Sequence, residues 1–408
     1  MNDVAISQGR RKRMNVKFST KFIAASAAAV MALSLAGCSG GSMDDSSSSS
    51  AKASGDTITI GTVTTNSGTA AAYGEAEVKG FELAVSEINA KGGINGKKVK
   101  LESMDDKGDA TEASNAYNKL VGDNNVLAVA GPTISATTAA VAPLADQSKL
   151  VTIAPAATSD SIETGNYLFR TCFKDSYQGE VAARFAAENL KVKKVAVLYG
   201  TGDPYSSGVG EAFAKAAEKL GLEVVDKESS SSADDTEYSA QLQKIQASGA
   251  ELLYAPYYYS VAGPYIIPQA RSVGFDGYVM GPDGYDGLKL TGDKAQYNKT
   301  YYTTHYSADD NTNSKVQDFI KSYKSKNNAE PNTFAALGYD TIYMIKQAIE
   351  KAGKNATRED VRNAVAGMTF DGVTGKFTMD KSGSPTKSVI VLEMKDGKPV
   401  YNTTVQPK

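Results

Sequence analysis

Apolar positions follow two alternating spacings along the chain from about residue 57 onward. Short β-branched runs predict strands, and the segments between them carry apolar residues three and four positions apart, as on one face of a helix. The first predicted strands are Ile58 to Val63, Val99 to Met104, Val126 to Ala130 and Leu150 to Ala154. The first predicted helices carry Phe81, Ala84, Val85 and Ile88, then Ala113, Ala116, Tyr117, Leu120 and Val121, and finally Ser135 to Gln147. Strands and helices that alternate through short loops predict a parallel sheet with helices on both faces.

The alternation restarts near Lys174, which indicates a second lobe of the same class. Its predicted elements are a helix at Tyr177 to Leu190, a helix with Val209, Phe213, Ala216, Ala217 and Leu220 on one face, and strands at Val195 to Tyr199, Leu222 to Val225, Leu252 to Ala255 and Tyr278 to Met280. Past His305 the pattern predicts helices at Ser314 to Ser325 and Thr333 to Ala352, then strands at Lys376 to Met379 and Val389 to Met394. The fold class is therefore α/β, with two lobes that each hold a parallel sheet flanked by helices.

Local signals predict the surroundings of several polar residues. Asp109 is expected to cap a helix, with Glu112 completing a capping box. Adjacent acids at Asp105-Asp106 and Asp309-Asp310 are expected in solvated turns rather than at a metal. His305, the only histidine, is expected to be a partly exposed residue of a tyrosine-rich strand.

The first 37 residues have the layout of a secretion signal. Lys17 and Lys21 precede an apolar run from Phe22 to Leu35, which is too short to span a bilayer as a helix. The run ends in Leu-Ala-Gly-Cys38, which resembles the bacterial lipobox, and the resemblance implies a lipid on the Cys38 thiol. Residues 38–55 are rich in serine and glycine and are expected to be a flexible tether.

Charge and composition exclude several classes of protein. The 408 residues carry 44 basic and 46 acidic side chains, and removal of residues 1–37 leaves 38 basic against 45 acidic. An acidic mature protein is not expected to bind nucleic acid. One histidine and two cysteines leave few ligands for a metal or an iron–sulfur cluster, and no cofactor is expected. If Cys38 is acylated, Cys172 has no intrachain partner for a disulfide.

Motifs of enzyme active sites are missing from the sequence. Gly200-Thr-Gly202 follows a predicted strand, but Tyr205 stands where a dinucleotide-binding loop would need its third glycine. The chain has no Walker A loop, no Gly-x-Ser-x-Gly elbow and no His-Glu-x-x-His motif. Catalysis is therefore not expected.

A series of short motifs occurs in order along the chain. They are Tyr73-Gly74, Glu87-Ile-Asn-Ala-Lys-Gly-Gly-Ile-Asn-Gly96, Asp105-Asp106, Ala154-Pro-Ala-Ala-Thr158, Gln269-Ala-Arg-Ser-Val-Gly274 and Met280-Gly-Pro-Asp-Gly284. Each motif is weak alone, but together they resemble the branched-chain amino-acid binding proteins of ABC importers, over nearly the whole mature chain. That resemblance implies the type I periplasmic-binding fold, a clamp of two lobes.

The resemblance implies a ligand site at the carboxyl ends of the strands, where open α/β sheets bind ligands. Ser135 and the N–H groups of the helix it opens are expected to hold a carboxylate, although Ser135 could instead only cap that helix. Thr158 and the Ala156 carbonyl are expected beside it, and Asp283 is expected to pair with the ligand ammonium. For Thr158 and Asp283 an ordinary loop or turn role is the alternative.

Aromatic residues are expected to cover the ligand. By the same resemblance Tyr257 and Tyr205 come from the second lobe, while Tyr73 and Phe334 come from the first. Tyrosine suits such a lid because it combines a large apolar ring with a polar tip. For Tyr257 the alternative is a place in the protein core.

Three departures from the family pattern concern the pocket. Many relatives have glutamate where this chain has Asp283, and often glycine where it has Pro256. Gly108 and Ile134 replace cysteines that form a disulfide in some relatives. Specificity for leucine, isoleucine and valine therefore does not follow from the resemblance, whereas an amino acid or a small amide-like ligand does.

The sequence as a whole predicts a lipid-anchored, monomeric solute receptor on the extracytoplasmic face of a bacterial membrane, which closes around an amino acid and delivers it to an ABC permease. A sensory module of the same fold that signals to a membrane partner is the alternative. Residues 56–174 and 306–375 are expected to form the first lobe, and residues 175–305 and 376–408 the second. The hinge is expected near Lys174, His305 and Gly375.

Overall fold

A five-stranded parallel sheet forms the centre of the first lobe. The computed structural model describes residues 56–123, 125–162, 164–309 and 314–407. The elements of this part are β1 (Thr57–Thr64), α1 (Ala71–Ala90), β2 (Lys98–Asp105), α2 (Ala110–Gly122), β3 (Val126–Ala130), α3 (Ser135–Ser148), β4 (Thr152–Ala154) and β5 (Leu168–Arg170). The strand order is β2-β1-β3-β4-β5, with every neighbouring pair parallel. This arrangement confirms the α/β prediction for the first lobe.

A seven-stranded sheet forms the centre of the second lobe. Its elements are α4 (Asp175–Glu188), β6 (Lys194–Gly200), α5 (Pro204–Lys219), β7 (Glu223–Ser230), α6 (Ser239–Ala247), β8 (Leu252–Tyr254), α7 (Tyr259–Val261), α8 (Ile267–Ser272), β9 (Tyr278–Gly281) and β10 (Thr300–Thr304). A π-helical turn, Ala262–Ile266, joins α7 to α8. Strands β7, β6, β8, β9 and β10 are parallel neighbours in that order.

The last part of the chain contributes to both lobes. Its elements are α9 (Ser314–Asn327), α10 (Thr333–Ala352), α11 (Arg358–Val365), β11 (Thr369–Gly372), β12 (Gly375–Thr378), β13 (Val389–Lys395) and β14 (Lys398–Val405). Strand β13 pairs antiparallel with β10, and β14 antiparallel with β13. The second sheet is therefore mixed rather than parallel throughout.

The third crossing between the lobes lies further along the chain than predicted. Strand β12 pairs with β11 in a two-stranded ribbon. Phe377 and Met379 pack in the same buried cluster as Phe81 and Phe169 of the first lobe. Because these side chains fill the first-lobe core, the crossing follows Met379, and the predicted boundary at residue 375 is wrong.

Local capping agrees only in part with the prediction. The Oδ1 atom of Asp109 accepts hydrogen bonds from the backbone N–H groups of Thr111 and Glu112, as expected for an N-cap. The reciprocal half of the capping box is missing, because the Asp109 N–H bonds to the carbonyl of Asp106 and Glu112 pairs with Lys107. Asp106 was expected to be solvated, but it is fully buried and accepts a 2.6 Å hydrogen bond from the Thr65 hydroxyl.

Candidate ligand-binding cleft

A cavity lies between the two lobes at the carboxyl ends of β1, β3, β4 and β9. It is lined by Tyr73, Thr133, Ile134, Ser135, Ala156, Tyr205, Tyr258, Asp283, Gly284 and Phe334. Its volume is about 20 Å³, close to the room that one water molecule needs. The lobes are therefore closed against each other. Six predicted site residues meet here, namely Ser135, Ala156, Asp283, Tyr73, Tyr205 and Phe334.

Ser135 begins α3 at the first-lobe wall of the cavity. Ile134 holds the N-cap position without a side-chain bond, so Ser135 does not cap its own helix. The Ser135 hydroxyl instead accepts a hydrogen bond from the Ser159 N–H, at 3.1 Å. The first N–H groups of a helix have no intrahelical partner and favour anions. This wall therefore suits a carboxylate.

Thr133 is a wall residue that the sequence did not single out. Its hydroxyl donates to the Glu77 carboxyl at 2.6 Å and accepts from the Thr65 N–H at 3.1 Å. Glu77 is fully buried, and burial raises the pKa of its carboxyl well above the ordinary value. The Thr133 hydroxyl is thus engaged with Glu77 and Thr65 behind the wall.

Asp283 lies in the second-lobe wall, two residues after β9, and is 2% exposed. Its Oδ1 atom accepts hydrogen bonds from the Tyr205 hydroxyl at 2.9 Å and from Gln178 Nε2 at 3.2 Å. Its Oδ2 atom lies 3.3 Å from His305 Nε2. Three side chains therefore hold this carboxylate at the cavity, and each fixes its orientation.

Gln178 joins Asp283 to a second buried acid. Its Nε2 group also donates to Asp175 Oδ1 at 2.8 Å, and its Oε1 atom accepts from the Asp283 N–H and the Thr303 hydroxyl. Burial, and next the charge of Asp283, raise the pKa of Asp175 well above its ordinary value. The raised pKa favours the neutral, protonated form of Asp175 beside Asp283.

His305 was predicted to be partly exposed, and this prediction is wrong. The residue is 2% exposed and its ring stacks on Phe173 at a centroid distance of 3.6 Å. Burial lowers the pKa of the imidazole to about 4, and the hydrogen bond to Asp283 opposes the shift only in part. A neutral imidazole that faces a carboxylate through Nε2 carries its proton there. The signal in the sequence was the position directly after β10, at the carboxyl edge of the sheet.

Aromatic rings close the cavity from both lobes. Tyr73 stacks on Phe334 at 3.9 Å between centroids, and Tyr205 stacks on Tyr258 at 5.4 Å. The Tyr73 hydroxyl donates to the carbonyl of Gly284 at 2.5 Å. Gly284 also donates its N–H to Tyr205, and a Cβ at this position would lie 2.6 Å from that hydroxyl oxygen. A larger residue at position 284 would therefore displace the Tyr205 hydroxyl where the second lobe meets Tyr73.

Two predicted site residues do not line the cavity. Tyr257 is fully buried in the second-lobe core, where its hydroxyl bonds to Ser230 at 2.9 Å and its ring packs on Tyr238. Alternate residues of the segment point to opposite sides, so that Tyr257 packs in the cluster of Ala255 and the next residue, Tyr258, reaches the cavity. The prediction for Tyr257 is therefore wrong.

Thr158 lies behind the first-lobe wall. It is fully buried, and its carbonyl accepts the N–H of Asp175 at the start of α4. This bond ties the loop after β4 to the first helix of the second lobe. Thr158 is thus a neighbour of the wall residue Ala156 rather than part of the wall.

The sequence matches the model of one protein family, described as periplasmic binding protein, over residues 57–399. That match spans most of the chain. The chain belongs to the periplasmic binding protein family. It is a solute-binding protein and not an enzyme.

Relatives of this periplasmic binding protein, and solved structures similar to it, agree with the family match. Leu/Ile/Val-binding protein homolog 3 of Brucella melitensis is 31% identical over 84% of this chain and 92% of its own. The LivJ substrate binding protein of a branched-chain amino acid transporter from Streptococcus pneumoniae, solved with isoleucine, is 33% identical with a TM-score of 0.80 and covers 86% of this chain and 100% of its own. The leucine binding protein LivK of Thermotoga maritima is 30% identical with a TM-score of 0.78 and covers 86% and 99%. These structures confirm the two-lobed type I fold.

Proposed function

We propose that this periplasmic binding protein captures a branched-chain or similar α-amino acid between its lobes. The observation that carries the proposal is that Asp283 of the second lobe and Ser135 of the first line one cavity. An α-amino acid presents an ammonium and a carboxylate on neighbouring atoms, and the two walls offer one opposite partner to each. A zwitterion is therefore held only when both lobes close on it.

The charges of the walls support this orientation. The ammonium group is expected at Asp283, whose carboxyl oxygens already contact the Tyr205 hydroxyl, Gln178 Nε2 and His305 Nε2. The carboxylate is expected at the N-terminus of α3, beside the Ser135 hydroxyl. Tyr73, Phe334 and Tyr258 then surround the side chain with aromatic surface.

Closure follows from population shift. A ligand that contacts both walls favours the closed arrangement over the open one by the difference in its affinity for the two. The hinge proposed for this motion consists of the segments near Lys174, His305 and residues 380–388. The closed form is the one presented to an ABC permease, by analogy with the Streptococcus relative, which is the substrate binding protein of a branched-chain amino acid transporter.

The membrane attachment is a separate part of the proposal. Cys38 and the signal and tether, residues 1–55, lie outside the described residues. None of the described helices is long and apolar enough to cross a membrane. A lipid on Cys38 would hold the receptor, as a monomer, near its permease on the extracytoplasmic face.

Thermal melting with a panel of amino acids tests the proposal. A ligand that binds only the folded protein stabilises it by about 2.7 kcal/mol at one hundred times its dissociation constant. We expect aliphatic amino acids to raise the melting temperature, and the same compounds without the ammonium group to leave it unchanged. If no amino acid shifts the melt of protein shown to be free of ligand, the proposed function is wrong.

A further inference from the structure

A second cavity lies at the boundary between the lobes, separate from the amino-acid cleft. It measures about 320 Å³, at the lower end of the range for small-molecule pockets. Tyr302, Leu290 and Met394 of the second lobe form one side, and Tyr306 and Pro331 form the other. None of these residues takes part in the site described above.

Two polar groups of this cavity, on Tyr306 and Asp286, can form further hydrogen bonds. Tyr306 is 3% exposed, and its buried hydroxyl has no hydrogen-bond partner among the described residues. An unpaired buried hydroxyl lowers the stability of the folded protein. Asp286, a second lining residue, accepts hydrogen bonds from the Thr333 N–H at 3.0 Å and the Thr304 hydroxyl at 3.4 Å, both through Oδ2. Its carboxylate has the capacity to accept further hydrogen bonds.

The charges around the cavity favour a cation. Asp286, Glu330 and Asp309 all act on the Tyr306 hydroxyl and raise its pKa, after burial itself. Lys324 pairs with Glu330 at 2.6 Å and compensates one of the three carboxylates. In the described part of the chain, no three histidine, cysteine or acidic side chains are grouped to hold a metal ion. The apolar walls also suit a ligand with carbon atoms better than a hydrated ion.

We propose that this second cavity binds a small primary amine with a short apolar chain. Its ammonium group donates to the Asp286 carboxylate and to the Tyr306 hydroxyl, while the chain lies between Leu290, Met394 and Pro331. The aromatic rings of the wall add a favourable contact with the positive charge.

The position of this cavity connects it to the amino-acid cleft. Asp286 follows the cleft residue Asp283 by three positions, and Thr333 precedes the cleft residue Phe334. An amine that contacts both lobes therefore favours the closed arrangement, and linkage requires amine and amino acid to strengthen each other's binding equally. We expect saturating amine to lower the dissociation constant of the amino acid about fivefold.

Calorimetric titration of the full chain with n-butylamine tests the proposal, with 1-butanol as the uncharged probe of equal length. We expect saturable amine binding that is at least about tenfold tighter than that of 1-butanol, because a buried charge pair contributes more than a neutral hydrogen bond. Asp286→Asn should weaken the amine at least about tenfold, and Tyr306→Phe should weaken it severalfold. Tyr306→Phe keeps the ring and the fold, so amino-acid binding without amine should persist.

The variant Asp283→Asn distinguishes binding at the cleft from binding at the second cavity. In this variant the amino acid should lose affinity while the amine keeps it. Absence of saturable amine binding would overturn the proposal, as would amine binding that the amino acid displaces or that Asp283→Asn removes, since the amine would then occupy the cleft. Amine binding that left the amino-acid affinity unchanged would contradict the contact with both lobes.

Discussion

The Nε2 atom of His305 lies 3.3 Å from the Oδ2 atom of Asp283, and both side chains are almost completely buried. The contact joins the only histidine of the chain to the acid that we propose for the ligand ammonium. Since the imidazole is neutral near pH 7, it donates a hydrogen bond and adds no positive charge that would compete with the ligand. This pair accounts for two properties that can be measured.

The first prediction concerns stability against acid. The pKa of His305 is about 4 in the folded protein and about 6.5 in an unfolded chain, so the unfolded chain takes up the proton more readily. Stability is therefore present above pH 6.5 and is lost as the pH falls toward 4, by up to about 3 kcal/mol. His305→Gln keeps a side-chain N–H but does not titrate, and its stability should fall less over this range.

Urea unfolding of both proteins between pH 7.5 and pH 4.5 measures this difference. Burial raises the pKa of Asp286 to about 6, so protonation of Asp286 stabilises the folded state as the pH falls. Because both proteins contain Asp286, the difference between their free energies of unfolding reports His305. Parallel pH profiles for the two proteins would contradict the buried, neutral state of His305.

Asp283→Asn should reduce amino-acid affinity at least about a hundredfold. The variant keeps the side-chain shape but removes the charge, and an ammonium left without its buried counterion costs about 3 to 5 kcal/mol. Asp276→Asn, a change of an exposed acid in the same lobe, is the matched control and should bind normally. Calorimetric titration compares the two, and equal affinities would remove Asp283 from the site.

Neighbouring tyrosines should behave differently on substitution. Tyr258→Ala opens the wall of the cleft and should weaken amino-acid binding, whereas Tyr257→Phe removes only the hydrogen bond to Ser230 in the core. The second change should lower the free energy of unfolding by about 1 kcal/mol and leave affinity unchanged. Titration and urea unfolding of both variants decide this point. An affinity loss in Tyr257→Phe alone would restore the role expected from the sequence.

Direct bonds between the lobes should bias the protein toward closure. The Ser260 hydroxyl donates to the Thr69 carbonyl at 2.7 Å, and the Tyr259 hydroxyl accepts the Ala72 N–H at 3.3 Å. Ser260→Ala with Tyr259→Phe removes both bonds, each with a net contribution of about 1 kcal/mol. The ligand-free variant should show a larger radius of gyration in small-angle X-ray scattering and a severalfold weaker affinity. Ser248→Ala, far from the cleft, serves as a control, and an unchanged radius would contradict the bias.

The thiol count tests the lipid anchor. Burial raises the pKa of the Cys172 thiol to about 12, so this thiol should not react with thiol reagents in the folded protein. Denatured protein from membranes should show one reactive thiol if Cys38 is acylated, and two if it is not. Cys38→Ser should release the protein from the membrane fraction, and a variant that stayed there would refute anchoring at Cys38.

Much of the fold could be predicted because its signals are local. Helix α10 begins and ends at the predicted residues, Thr333 and Ala352, since its apolar positions recur at helical spacing and depend on few distant residues. Strand β3 likewise matches Val126 to Ala130. The half-correct cap at Asp109 marks the limit of such signals, because Glu112 had a competing partner in Lys107.

The residues that line the cleft could be predicted only where their position relative to a strand or helix places them there. Ser135, Ala156 and Asp283 come within a few residues after strands whose carboxyl ends meet at one edge, and the sequence located all three. Thr133 and Tyr258 were missed because their part in the wall depends on which way a loop side chain turns.

The sequence by itself determined the α/β class, the two lobes and the strand ends that carry the cleft, because periodicity and chain order act over short distances. Only the tertiary structure decided that His305 and Gln178 hold Asp283, contacts that join residues 22 and 105 positions apart. It also decided that Tyr257 packs in the core and Tyr258 in the cleft. Such choices depend on burial and hydrogen-bond partners supplied by distant segments, which no local pattern records.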